Sequence, residues 1–209
     1  EAKMGFETPI TIEKVIQGIQ ENKYVLPAIQ REFVWDAEQI EKLFDSLMRG
    51  YPIGSFLFWK IEPDHLKDFQ FYRFMDRFHE RDYRHNEPIE LVGGNSVTAV
   101  LDGQQRLTAL NIGLKGWYAN KMPYYRWNSD YAFPEKRLDL NLLNPPDENG
   151  NAYEFKMLQD KEVTNIEGKK YWFRVSEIFK FKELQDAMYY CIENGLTADK
   201  RTFPSSALM

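Results

Sequence analysis

Apolar positions recur along this chain in two rhythms, one helical and one extended. Ile12, Val15, Ile16 and Ile19 fall on one helical face behind Thr11, so the pattern predicts a first helix over 11–22, capped by that threonine. Residues 24–27 are extended, because a residue before proline is pushed out of the helical region. Ile40, Leu43, Phe44, Leu47 and Met48 form the stripe of a second helix. Asp36 and Gln39 have capping-box spacing at its start, and Gly50 supplies its stop. The continuous apolar run over 55–61 reads as a largely buried strand. Residues 89–92 and 96–101 read as a hairpin turning at Gly93-Gly94-Asn95. Leu107, Leu110 and Leu114 then resume helical spacing as far as about Lys115.

Further along, 122–134 is aromatic-rich and reads as irregular. Leu138, Leu140 and Leu142 alternate in a strand over 137–143, and 144–151 is a turn cluster. Strands are expected over 153–158 and 171–175, a short turn capped by Ser176, and a last helix over 181–194 ending at Gly195. Residues 68–84 admit two readings, a strand over 68–74 or a helix over 70–84. On the helix Arg73, Arg77, Arg81 and Arg84 share an arc of about 80° at about 100° per residue. Such a ridge could track a phosphate backbone, while the plainer reading is a solvated face laced with Asp76, Glu80 and Asp82. Helices segregated from hairpins indicate an α+β fold rather than a regular βαβ alternation.

The most polar interruption of this pattern is Asp102-Gly103-Gln104-Gln105-Arg106, set where a strand hands over to a helix. Backbone N–H groups at a helix start hold anions, and here a carboxylate, two amides and a guanidinium stand beside them. A structural reading is equally available: Asp102 caps the helix, Gln105 completes a capping box, Gly103 relieves the turn and Arg106 is solvated or ion-paired.

The 209 residues are 43% hydrophobic and 28% charged, an ordinary globular balance in a chain long enough for a sizeable core. A net charge of -5 argues against a free-standing, sequence-blind nucleic-acid binder, though a local basic patch stays compatible. The single Cys191 cannot form an internal disulfide, which fits a cytoplasmic protein, and its neighbours Ala187, Met188 and Ile192 place it in a buried helix position. No apolar run approaches the length needed to cross a membrane. Phosphate-loop and dinucleotide glycine motifs and the hydrolase serine elbow are absent, and one cysteine with His65, His79 and His85 makes no zinc cluster.

Three blocks carry a resemblance: Leu26-Pro27 through Ile29-Gln30-Arg31 to Trp35, Gly50-Tyr51-Pro52-Ile53-Gly54-Ser55, and Asp102-Gly103-Gln104-Gln105-Arg106-Leu107-Thr108. In order and spacing they resemble the N-terminal domain of GmrSD-type restriction endonucleases. The resemblance implies a ParB/sulfiredoxin-like mixed sheet with packed helices, with the motif core over 1–120. Residues 121–209 would add strands and a C-terminal helix to the same domain, in a fragment of a longer protein. It further implies a nucleotide-binding and hydrolysing domain of a modification-dependent, phage-directed restriction system, with DNA reached through the full-length protein and a C-terminal nuclease region. Under that reading Asp102, Gln104 and Gln105 are the candidate catalytic residues. Gln30, Arg31, Gly103 and Arg106 are the candidate phosphate-binding residues for a nucleoside triphosphate. Asp102 is the candidate ligand of Mg2+, since a carboxylate beside phosphates needs a cation between them. Arg73, Arg77, Arg81 and Arg84 would contact DNA. The alternatives are a non-catalytic DNA-recognition module and a structural interaction domain.

Overall fold

The computed structural model describes residues 5, 8–28, 32–91, 96–143, 152–167 and 169–196. In chain order the elements are α1 (Ile12–Gln20), β1 (Tyr24–Pro27), α2 (Ala37–Met48), β2 (Leu57–Ile61), β3 (Phe71–Tyr72), β4 (Arg77–His79) and β5 (Pro88–Ile89). They continue with β6 (Val97–Asp102), α3 (Gln104–Lys115), β7 (Trp117–Ala119), β8 (Arg137–Asn141), β9 (Phe155–Leu158), β10 (Trp172–Arg174) and α4 (Leu184–Glu193). The fold is α+β. It divides into two compact units, and the chain passes back and forth between them: Glu1–Arg31, Phe56–Phe74 and Asn86–Gln104 form the first, and Glu32–Ser55, Met75–His85 and Gln105–Met209 the second.

The first unit is a mixed sheet in the order β2-β6-β1-β3-β5. β1 and β6 run parallel, with Val25 opposite Ala99, and both residues are fully buried. The other pairings are antiparallel. Val25, Ile61, Leu66, Phe71, Val97 and Ala99 form the core cluster on this sheet. α1 begins as its spacing predicts, with Thr11 Oγ accepting from the Lys14 N–H at 3.3 Å.

Two expectations fail here. β5 and β6 are not a hairpin: β5 pairs with β3 at one edge of the sheet, whereas β6 lies between β2 and β1. Alternation and a glycine turn signal are satisfied by any antiparallel neighbour, and the turn at Gly93-Gly94-Asn95 lies outside the described residues. β2 is not largely buried either. It is the opposite edge strand, with Leu57 half exposed and Ile61 alone buried.

In the second unit β10-β8-β9 form an antiparallel sheet and β4-β7 a short parallel pair. α2 opens with the expected capping box: Asp36 Oδ1 accepts from the Gln39 N–H at 2.8 Å, and Gln39 Oε1 from the Asp36 N–H at 3.0 Å. Gly50 follows its end at φ +70, a conformation open to glycine. α2 packs on β9 through Phe44 and Phe155, ring centres 5.6 Å apart, while Glu41 accepts from the Met157 N–H at 2.8 Å. Every residue from Leu107 to Leu114 of α3 is buried, so the leucine stripe is one side of a helix covered all round. Asn111 meets that burial by donating to the Met75 carbonyl at 3.0 Å. Cys191 is buried on α4, as its spacing predicts. The turn cluster over 144–151 lies outside the described residues.

Candidate functional site

The polar segment begins at the end of β6. Asp102 is the last residue of that strand and is exposed. Gly103 turns the chain at φ +87, a left-handed conformation that costs glycine nothing and an L-residue about 1 kcal/mol or more. α3 starts at the next residue, so strand becomes helix across one glycine. The Gln104 Nε2 donates back to the Val100 carbonyl at 2.8 Å and ties the helix start to the strand that delivers it. The first-turn N–H groups of α3 have no intrahelical acceptor, which is the physical basis of an anion site here.

Gln105 and Arg106 belong to the second unit, and both reach backbone far away in sequence. Gln105 Nε2 donates to the Glu32 carbonyl at 2.8 Å, and its Oε1 accepts from the Val34 N–H at 3.0 Å. The side-chain amide thus pairs with residues 32–34 as a neighbouring strand would. Arg106 Nη2 donates to the Ser55 carbonyl at 2.7 Å, and Nη1 donates to the Ile53 carbonyl. Gly54, between those carbonyls, has φ +87, and a Cβ there would stand 2.6 Å from Arg106 Nη1. Only glycine allows the turn to close on the guanidinium.

Within the second unit, residues 32–34, 53–55 and 105–106, one part of each sequence block, are therefore joined by hydrogen bonds. Sequence reasoning picked out Gln105 and Arg106 for polarity amid apolar neighbours, but missed their partners. The partners are main-chain groups of Glu32, Val34, Ile53 and Ser55, and backbone carries no residue-type signal. The spacing of the three blocks was the available hint. Gln30 and Arg31 lie outside the described residues. Replacing Gln105 with alanine is expected to cost about 1 kcal/mol, because it removes two hydrogen bonds whose backbone partners water can reach. A shift in urea midpoint at constant slope would measure it, with faster proteolysis near Glu32 as a local readout.

The arginine ridge does not form. Residues 70–84 are not a helix; they carry β3 and β4 with turns between them, because pairing of β3 with β5 and of β4 with β7 satisfies their backbone. Arg73 lies in the first unit, where its N–H donates to the Glu87 carbonyl at 3.0 Å. In the second unit Arg77 sits 3.5 Å from Asp76, and Arg84 3.3 Å from Glu32. Arg81 holds Asp82 and Asp130, each at 2.8 Å, and those hydrogen bonds raise its pKa further above the usual range. Among the described residues no three His, Cys, Asp or Glu side chains gather as a metal cluster, and no helix is long and apolar enough to cross a membrane.

The fold is α+β, and in its second unit Gln105 and Arg106 hold residues 32–34 and 53–55 at the start of α3. The family model for the GmrSD restriction endonuclease N-terminal domain matches residues 12–203, and the chain belongs to that family. It is also 30% identical over 139 residues to the uncharacterized protein MJ0686 of Methanocaldococcus jannaschii; the match covers 66% of this chain and 22% of that protein.

Proposed function

We propose that this restriction-endonuclease domain binds a nucleoside triphosphate and hydrolyses it with Mg2+, as the regulatory part of a longer cytoplasmic protein whose nuclease region acts on DNA. The observation that supports this most is the convergence of residues 32–34 and 53–55 on Gln105 and Arg106 within the second unit. The ParB/sulfiredoxin-like arrangement belongs to the same proposal.

In this reading the N–H groups opening α3, with Gly103 allowing close approach, face the phosphates. Arg31 and Arg106 add guanidinium groups, and Gln30 completes the site. Asp102 is a single exposed carboxylate. That suits magnesium in nucleotide sites, where one or two carboxylates share the ion with phosphate oxygens and water. The ion would supply charge neutralisation at the phosphates. Gln104 is anchored through its Nε2, which leaves its Oε1 as an acceptor to orient a water, and Gln105 holds the facing loop.

Nucleotide with Mg2+ is expected to raise the melting temperature by mass action. Asp102→Ala is expected to remove magnesium-dependent turnover, by a factor of about 100 or more, with the fold intact. Turnover at the parental rate in that variant would take Asp102 out of the mechanism. No melting shift with any nucleotide would overturn the proposal itself.

A further inference from the structure

In the second unit β4 ends at His79 in a tight turn that the proposed nucleotide site does not use. The His79 N–H donates to the Tyr83 carbonyl at 3.3 Å, and the Tyr83 N–H donates to the His79 carbonyl at 3.0 Å. Between them, Arg81 and Asp82 both aim their backbone N–H groups at the histidine ring, where Nδ1 accepts at 3.3 and 3.1 Å. A ring nitrogen that accepts hydrogen bonds carries no proton, so His79 is the neutral tautomer with its hydrogen on Nε2. The side chain is 12% exposed. The Phe133 ring lies 4.8 Å from it, and Tyr83 and Trp117 stand edge-on at 6.3 Å, which holds the imidazole inside the turn.

The tip of this turn grips a second segment. Arg81 donates to the Trp127 carbonyl at 3.1 Å and to Asp130 at 2.8 Å, and its guanidinium lies 5.1 Å from the ring centre of buried Phe133. Trp127 and Asp130 belong to the loop over 122–132, which is closed at its base by the Met122 N–H donating to the Ala132 carbonyl at 2.7 Å. Glu80 ties the turn to the same base, where its carboxylate accepts from the Lys121 N–H at 2.7 Å. The cations on the neighbouring strands are engaged elsewhere: Arg77 with Asp76 at 3.5 Å, and Lys136 with Asn120 at 3.0 Å. The carboxylate beside the ring is Asp82. Its Oδ2 lies 3.5 Å from His79 Nδ1, and Arg81 holds its two oxygens at 2.8 and 2.9 Å. Those hydrogen bonds keep the Asp82 pKa below the usual carboxylate range, so an anion stands next to the imidazole wherever a histidine can gain its proton.

One proton taken from water onto Nδ1 turns this acceptor into a donor. The Arg81 and Asp82 N–H groups then lose their acceptor and face an imidazolium N–H instead, so the closed turn is no longer satisfied. The new N–H has the Asp82 carboxylate within reach, and Asp82 can serve it only by loosening its hold on Arg81. The turn thus has two arrangements, and the proton on one ring nitrogen selects between them. We propose that His79 is a proton-operated latch on the 122–132 loop: a bare Nδ1 keeps the 79–83 turn closed with Arg81 on the loop, and a protonated Nδ1 opens the turn and releases the loop.

The test is amide hydrogen exchange of this chain, read by mass spectrometry from pH 8 to pH 5 without nucleotide and corrected for the intrinsic pH dependence of exchange. Peptides over 79–83 and 122–132 are expected to lose protection about 10-fold or more as the pH falls, while β8 and β9 keep theirs. In His79→Asn the amide oxygen takes the place of Nδ1 as an acceptor that cannot be protonated. That variant is expected to stay closed across the whole range, whereas His79→Ala, with no acceptor, is expected to be open at both ends of it. Protection of the loop that does not change with pH in the parent overturns the proposal. So does a transition that persists in His79→Asn, or one that β8 and β9 share, which would mark global unfolding. Nitrogen NMR of the parent's imidazoles gives a check that needs no variant: at pH 8 the His79 hydrogen is expected on Nε2, and a hydrogen on Nδ1 would overturn the latch.

Discussion

Gly116→Ala is expected to destabilise the protein by about 3 kcal/mol, the largest loss for so small a change. Gly116 links α3 to β7. A Cβ at this position would lie 1.5 Å from the Asp76 carbonyl oxygen and 2.4 Å from its carbon. Both are main-chain atoms, so no rotamer change relieves the clash. The chain cannot simply withdraw, because the Trp117 N–H donates to that same oxygen at 3.1 Å and starts the parallel β4-β7 pairing. Separating the strands would also disturb the stack of Phe78 on Tyr118, ring centres 4.8 Å apart, and the contact of Phe78 with Phe33. Gly113 makes a useful contrast. A Cβ there meets Phe44 and Leu138 side-chain atoms at 2.6 and 3.1 Å, which can give way, so Gly113→Ala is expected to cost less. Urea unfolding of the two variants measures the order, and a loss below about 1 kcal/mol for Gly116→Ala would contradict this packing.

Arg174→Met is expected to cost about 3–5 kcal/mol at neutral pH, because it strands a buried carboxylate. Asp139 is fully buried on β8, directly opposite Arg174 on β10. The Arg174 Nε donates to its Oδ1 at 2.8 Å, while Oδ2 is buried with no hydrogen-bond partner among the described residues. Burial pushes the Asp139 pKa up, and the hydrogen bond and charge of Arg174 pull against it without cancelling it. Methionine keeps the stem's packing but removes that pull, so the pKa rises further.

A carboxyl whose folded pKa exceeds its unfolded value binds the proton more tightly when folded. Its cost is therefore complete above the folded pKa and shrinks as the pH falls toward the unfolded value of about 3.9. Asp160 acts in the opposite sense. Its hydrogen bond to Arg174 lowers its pKa, and that contribution is lost on acidification of the parent and already missing from the variant. Both effects narrow the gap between variant and parent as the pH falls. Asp139→Asn should cost less than Arg174→Met and show little of this pH dependence. A gap that widened at acidic pH would mean that Asp139 is not the stranded group.

Local rules made the helices legible. Thr11, Asp36 with Gln39, and Gly50 act within a few residues of themselves, so their caps and stops could be read directly. Gly103 was marked as a turn residue for the same reason. Strand partners could not be read this way. β4 and β7 are too short to show a period, and β5 reads as the mate of whatever antiparallel strand follows until the sheet order is known. Asp139 and Asn141 alternate with Leu138 and Leu140, and alternation by itself cannot tell a solvent face from a second buried one closed by Arg174 and Glu154.

The candidate site divides along the same line. The order of residues determined that a strand ends in a carboxylate, turns through one glycine and opens a helix with two amides and a guanidinium, because those are short-range consequences of apolar spacing. Only the tertiary structure decided what Gln105 and Arg106 hold. Their acceptors and donors are peptide groups some fifty to seventy residues away, and every residue type presents the same peptide group, so no reading of side chains could have named them.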